Sequence, residues 1–171
     1  MTLRNVLVVL VCVALSILES VFPFLLHLKV ARADLLLSVV LYLALNDEVV
    51  QGAGLALVAG YLADLTSATP SCLYTLLAVL TFVVVRVGGS AIKTDGGVQS
   101  AAVAFAASLI HSTLAAALFH FVSPGSEGLV LRFAPLFWSA LGTALAAPFV
   151  FSVLRRLDAE FLPASDSTMV R

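Results

Sequence analysis

The chain has 171 residues, of which 61% are hydrophobic and only 11% are charged, with a mean hydropathy of +1.12. Soluble domains carry about 25% charged residues, so this composition excludes a sizeable soluble domain and indicates an integral membrane protein. The net charge of −1 gives no signal for nucleic-acid binding. The two cysteines, Cys12 and Cys72, lie in or beside apolar runs and have no metal-ligand spacing.

The first apolar run covers residues 6–26 and follows Arg4, which is an arrangement also found in signal peptides. The run is longer than the roughly 7–15 apolar residues of a signal peptide, and further apolar runs follow it. We therefore interpret it as an uncleaved first helix, with Pro23 expected to end or bend it.

Five further apolar runs follow in chain order, separated by charges and turn residues: 34–45, 50–65, 72–87, 98–122 and 133–154. A membrane-spanning helix needs roughly 20 apolar residues, so the second and third runs are short. We expect them to be tilted or inserted against neighbouring helices, with Asp34 capping the second. The sequence thus predicts an all-α polytopic membrane protein with about six transmembrane helices in residues 1–157 and a polar tail in residues 158–171.

The distribution of basic residues predicts the orientation of the chain. With six spans and a cytoplasmic N-terminus, the inner side holds six basic residues and the outer side three. The inner set is Arg4, Arg86, Lys93, Arg155, Arg156 and Arg171, and the outer set is Lys29, Arg32 and Arg132. Both termini are therefore expected in the cytoplasm.

Ionisable groups inside apolar runs are functional candidates, because a charge at the centre of a bilayer is costly. Glu19, Asp64, Arg86 and His111 lie in such positions. Asp64 stands near a helix C-terminus, where the helix dipole disfavours an anion. It therefore needs a cation, a backbone N–H of the following turn, or another chain as its partner. His111 is compatible with packing among the helices as a neutral ring. Glu19 is compatible either with a neutral side chain or with a position that faces a cavity.

Most other charges lie at the ends of apolar runs and are interpreted as solvated turns or anchors at the membrane surface; Asp47 and Glu48 are among them. Small residues recur on the fifth helix, at Ala104 and Ser108, and on the sixth, at Gly142. Such faces suit packing within the chain or a homodimer contact. The sequence shows no nucleophile elbow, zinc-protease motif, phosphate loop or paired carboxylates, so we expect neither an enzyme nor a cofactor.

Two neighbouring stretches resemble the MreD family of bacterial rod shape-determining membrane proteins. They are "ADLLLSVVLYLAL", residues 33–45, and "GAGLALVAGYLADLTSATPSCLYTLL", residues 52–77. The positions that match the family pattern are Asp34, Tyr42, Ala44, Gly60, Asp64, Ser67, Pro70 and Leu73. Ala33 stands where the family usually has proline, and Cys72 where it usually has glycine.

The resemblance implies a non-catalytic protein of the bacterial inner membrane. Such proteins associate with MreC, a single-span protein, in the elongation complex for sidewall peptidoglycan. That complex also includes a polysaccharide polymerase, a transpeptidase and, less directly, MreB filaments. The partner-binding or structural candidates are Asp64, Glu19, Asp34, Gly60, Pro70 and His111. Membrane lipids and a second copy of the chain are further partners.

The family fold is similar to the substrate-binding S-components of energy-coupling-factor transporters. That similarity supplies the alternative function, a small-molecule-binding S-component of a vitamin transporter.

Overall fold

The computed structural model describes residues 2–26, 34–67, 72–89, 97–122 and 133–161. Within these ranges the chain forms six helices and no strand. They are α1 (Thr2–Leu26), α2 (Leu35–Asn46), α3 (Val49–Thr66), α4 (Leu73–Gly89), α5 (Gly97–Val122) and α6 (Phe133–Phe161). The predicted all-α class is therefore confirmed.

Four of the helices, α1, α3, α5 and α6, are long and apolar enough to cross a membrane, whereas α2 and α4 are shorter. Helix α1 ends at Leu26, where the first apolar run was expected to end, so Pro23 does not terminate it. The end of α6 differs from the prediction, since the helix continues to Phe161 rather than stopping at residue 154. Asp158, the first residue of the predicted tail, is thus helical, and the rest of the tail beyond Phe161 lies outside the described residues.

Helix α2 lies at the centre of the bundle. It contacts all five other helices, and these contact one another around it in the order α1, α3, α4, α5, α6 and back to α1. Residues 36–44 of α2 are all buried, as expected for a helix that is apolar on every face. The prediction that this short run is inserted against its neighbours is confirmed. The same expectation for the third run is wrong, because α3 has 18 residues and is long and apolar enough to cross a membrane.

The helices alternate in direction, which brings the two ends of the described chain together. Arg4, near the start of α1, contacts Asp47, after α2, and Asp158, near the end of α6. We call this end of the bundle the terminal end. Asp64, at the end of α3, contacts Tyr74, at the start of α4, at the opposite end.

Helix α2 is about 18 Å long, whereas the apolar core of a bilayer is about 30 Å thick. Its C-terminus lies at the terminal end, so its N-terminus lies inside the bundle. The backbone N–H of Asp34 there donates to Thr143 Oγ1 on α6, with N and O 3.0 Å apart. The N-terminus of α2, with the partly exposed carboxylate of Asp34 on it, thus lies between other helices of the bundle.

Candidate functional site

The Asp64 carboxylate caps the N-terminus of α4. The backbone N–H of Tyr74 donates to Oδ1 at 2.8 Å, and the backbone N–H of Thr75 donates to Oδ2 at 2.9 Å. The Thr75 hydroxyl also donates to Oδ2, at 2.5 Å. The first N–H groups of a helix have no partner within the helix, and its dipole attracts an anion there. The unfavourable position of Asp64 at the end of α3 is thus compensated by the start of α4.

Gly60 brings α3 and α4 close enough for this cap. A Cβ atom at Gly60 would lie 2.7 Å from Thr75 Cα, 2.8 Å from Ala78 Cβ and 2.9 Å from the Tyr74 carbonyl oxygen. A Cβ atom essentially never comes within 3.0 Å of another heavy atom outside its own neighbours, so any residue but glycine would force the two helices to shift here. Since Asp64 lies one helical turn beyond Gly60, the same contact places its carboxylate beside the Thr75 N–H.

Cys72, directly before α4, has a positive φ of 72°. This left-handed conformation is unfavourable for residues other than glycine, because Cβ approaches the following carbonyl oxygen. Cys72 is also where this chain departs from the glycine usual in the family. Among the described residues other than glycine, it is the one with a positive φ, the conformation that favours glycine. Pro70, in the same connection, lies outside the described residues.

Asp34 and His111 approach each other inside the bundle. Asp34 caps α2 as predicted, with Oδ1 accepting from the Leu37 N–H at 3.0 Å. Its Oδ2 lies 3.6 Å from His111 Nε2, which is longer than a hydrogen bond. The other ring nitrogen, Nδ1, is 3.0 Å from Thr81 Oγ1 on α4. His111 is 7% exposed, so the ring is held in a buried polar cluster.

A cavity of about 20 Å³ adjoins this cluster. Asp34, Gly60, Tyr74 and His111 are among the residues that line it. Three of the predicted candidates therefore meet around one small space, and Asp64 lies one helical turn from it. A pocket for a small organic ligand is usually roughly 300–1,000 Å³, so this cavity is far smaller than such a pocket. Glu19 is half-buried on α1 and does not line the cavity.

A second polar cluster lies at the terminal end. Arg4 donates to both carboxylate oxygens of Asp47, at 2.5 and 3.0 Å, and through Nε to Asp158 Oδ1 at 2.7 Å. The Tyr42 hydroxyl donates to Asp158 Oδ2 at 2.5 Å. Arg86 on α4 donates to the Asp47 backbone carbonyl at 2.8 Å. This cluster joins α1, α2, α4 and α6.

The interpretation of Asp47 as a solvated turn residue is wrong. Asp47 is only 7% exposed, because Arg4, itself 7% exposed, reaches it from α1. A buried ion pair needs hydrogen bonds to both partners, and the bidentate geometry supplies them. Glu48, the next residue, is exposed, as the same interpretation predicts. No local sequence pattern reveals the pairing, because Arg4 is 43 residues from Asp47 and 154 from Asp158.

The described residues do not assemble a metal centre: they contain no group of three or more histidine, cysteine or acidic side chains with suitable geometry. The charged side chains described above hydrogen-bond to backbone groups at the ends of helices and to one another. Asp64 caps α4, Asp34 caps α2, and Arg86 binds carbonyls at the end of α2. The arrangement is that of an α-helical polytopic membrane protein whose charged side chains hold its helices in place.

The comparison with protein families assigns the chain to one of them. The family described as rod shape-determining protein MreD matches residues 1–157, which is nearly the whole chain. The chain therefore belongs to the MreD family of shape-determining inner-membrane proteins. A search of curated proteins and a search of solved structures each gave no match. The expected similarity to transporter S-components thus stays a prediction.

Proposed function

We propose that this protein is a non-catalytic component of the bacterial cell-wall elongation complex. In this role it binds an MreC-like single-span protein and supports rod shape and sidewall peptidoglycan synthesis. The observation that carries the proposal is the family match over residues 1–157. The contacts of the charged side chains support it, because in the described residues these side chains hydrogen-bond to other helices of the same chain.

The α3–α4 pair is the part of the surface that we assign to the partner. Leu57, Tyr61 and Leu65 follow one another at a spacing of four residues on α3, and each is at least half exposed. Residues four apart lie on one helix face, so they form an apolar stripe that a membrane-embedded partner helix can cover. The Asp64 cap fixes α4 beside this stripe. In the proposed orientation both termini are cytoplasmic, and the Asp64 end of the bundle faces the periplasm.

The proposal is tested with Asp64→Asn in the native bacterium. An asparagine amide presents an NH₂ group where Asp64 presents its second acceptor oxygen, so a bond to Tyr74 or the bonds to Thr75 are lost. We expect the variant to accumulate in the membrane but to recover less of the MreC-like partner and to give rounded cells. Thr66→Val is the matched control, because the Thr66 hydroxyl donates only to carbonyls of its own helix.

Thr75→Val gives a graded second variant, since it removes the hydroxyl donor and keeps both backbone donors to Asp64. We expect a smaller loss of partner binding than for Asp64→Asn. Normal rod shape and full partner recovery in Asp64→Asn cells, at normal protein levels, would contradict the role assigned to the cap.

A further inference from the structure

A groove at the terminal end lies between the start of α5 and the last turns of α6. Its volume is about 400 Å³. Ser100 lines it from α5, and α6 contributes the other lining residues, which are Pro148, Phe151, Ser152, Arg155, Arg156 and Ala159. None of these residues belongs to the Asp64 cap or to the second polar cluster, which Arg4 forms with Asp47, Asp158, Tyr42 and Arg86.

The chemistry of the groove changes along its length. Pro148 and Phe151 line the end that lies deeper along α6, and Arg155 and Arg156 line the end nearer the helix terminus. The helix rise puts Pro148 and Ala159 about 16 Å apart. The groove is therefore apolar toward the middle of the membrane and cationic toward its surface.

Arg155 and Arg156 lie near one surface of the membrane. The apolar stretch of α6 that could cross a membrane is Phe137–Glu160, so Arg155 and Arg156 lie in its last turns. Long basic side chains near the end of a spanning helix place their charges at the level of the lipid headgroups. Both arginine side chains are exposed.

We propose that this groove binds an anionic phospholipid. The lipid phosphate contacts Arg155 and Arg156, Ser152 supplies a hydroxyl beside it, and one acyl chain lies along the apolar end of the groove at Pro148. A guanidinium suits a phosphate because it offers parallel N–H donors to two oxygens. Basic pockets between membrane helices bind anionic headgroups by the same chemistry. This inference does not depend on the binding of an MreC-like partner.

The test is native mass spectrometry of the purified full-length protein, with lipids added in detergent. We expect phosphatidylglycerol to be retained more tightly than phosphatidylcholine, by on the order of tenfold. The double variant Arg155→Gln/Arg156→Gln is expected to lose most of this preference. The matched variant Arg155→Lys/Arg156→Lys keeps the charges and is expected to keep most of it.

A second pair of variants tests the groove itself without changing charge. Ser152→Trp fills the groove and is expected to reduce retention of both lipids. Leu145→Trp adds the same ring at an α6 residue that is 74% exposed and does not line the groove, and it is expected to leave retention unchanged. Circular dichroism and size-exclusion profiles check that each variant is folded.

Three results would overturn the proposal. One is an unchanged lipid preference in the double glutamine variant. Another is an equal loss of lipid in Leu145→Trp and Ser152→Trp. The third is displacement of the lipid by inorganic phosphate at millimolar concentration, which would assign the arginines to a free phosphate.

Discussion

Adding a single methyl group at Gly60 tests the helix contact on which the Asp64 cap depends. In Gly60→Ala the new Cβ would lie 2.7 Å from Thr75 Cα and 2.9 Å from the Tyr74 carbonyl oxygen, which are backbone atoms and cannot rotate away. The two helices must therefore separate. Overpacking of this kind costs about 1–3 kcal/mol of unfolding free energy.

Gly54 provides the matched control on the same helix. A Cβ at Gly54 meets nothing within 4 Å. Gly54→Ala therefore gains about 0.5–1 kcal/mol from the higher helix propensity of alanine. The same chemical change at two positions of α3 is thus expected to shift stability in opposite directions.

The assay is equilibrium unfolding of the purified variants in mild detergent, titrated with sodium dodecyl sulfate and followed by circular dichroism. Gly60→Ala should unfold at a lower denaturant fraction than the unmodified protein, and Gly54→Ala at a higher one. Adding Ala78→Gly to Gly60→Ala should restore part of the loss, since it removes one clash and leaves the Thr75 backbone in place. Equal shifts for the two alanine variants would refute the close contact of α3 with α4.

Three further changes test other parts of the structure by the same unfolding assay. Asp47→Asn removes one of the two carboxylates that pair with Arg4, while Asp158 stays in place, and should cost about 1.5–3 kcal/mol. Glu48→Gln, at the exposed neighbour, should change stability by less than about 0.5 kcal/mol, and equal effects would contradict the buried ion pair. Cys72→Gly should stabilise the protein by about 1 kcal/mol because glycine adopts a positive φ without strain, and a loss of stability would refute the left-handed backbone there. Thr81→Val removes the partner of a buried ring nitrogen and should cost about 1–3 kcal/mol, and no loss would argue against that hydrogen bond.

The helices could be predicted from the sequence because charges and turn residues interrupt the apolar runs. Helix α2 has apolar residues on every face, and its short length indicated insertion among other helices. The end of α6 was missed since Arg155, Arg156 and Asp158 resemble a polar tail, although Asp158 is held in the helix by partners from α1 and α2.

The candidate site was predictable only where the contacts are local. Asp64 and its backbone partners lie within 11 residues of one another, so a helix cap was among the alternatives that the sequence offered. The pairing of Arg4 with Asp47 depends on how α1 packs against α2, which no spacing along the chain reveals. Likewise, the sequence contains several glycines in α3, and only the packing shows that a Cβ at Gly60 would meet α4 while a Cβ at Gly54 would meet nothing within 4 Å.

The most direct test of the central claim is an unbiased co-purification from the native bacterium. The chain is tagged after Arg171, solubilised in mild detergent, and its bound proteins are identified by mass spectrometry. The proposed function predicts stoichiometric recovery of an MreC-like single-span protein, reduced by Asp64→Asn and unchanged by Thr66→Val. Recovery of transporter ATPase subunits without such a partner would contradict it.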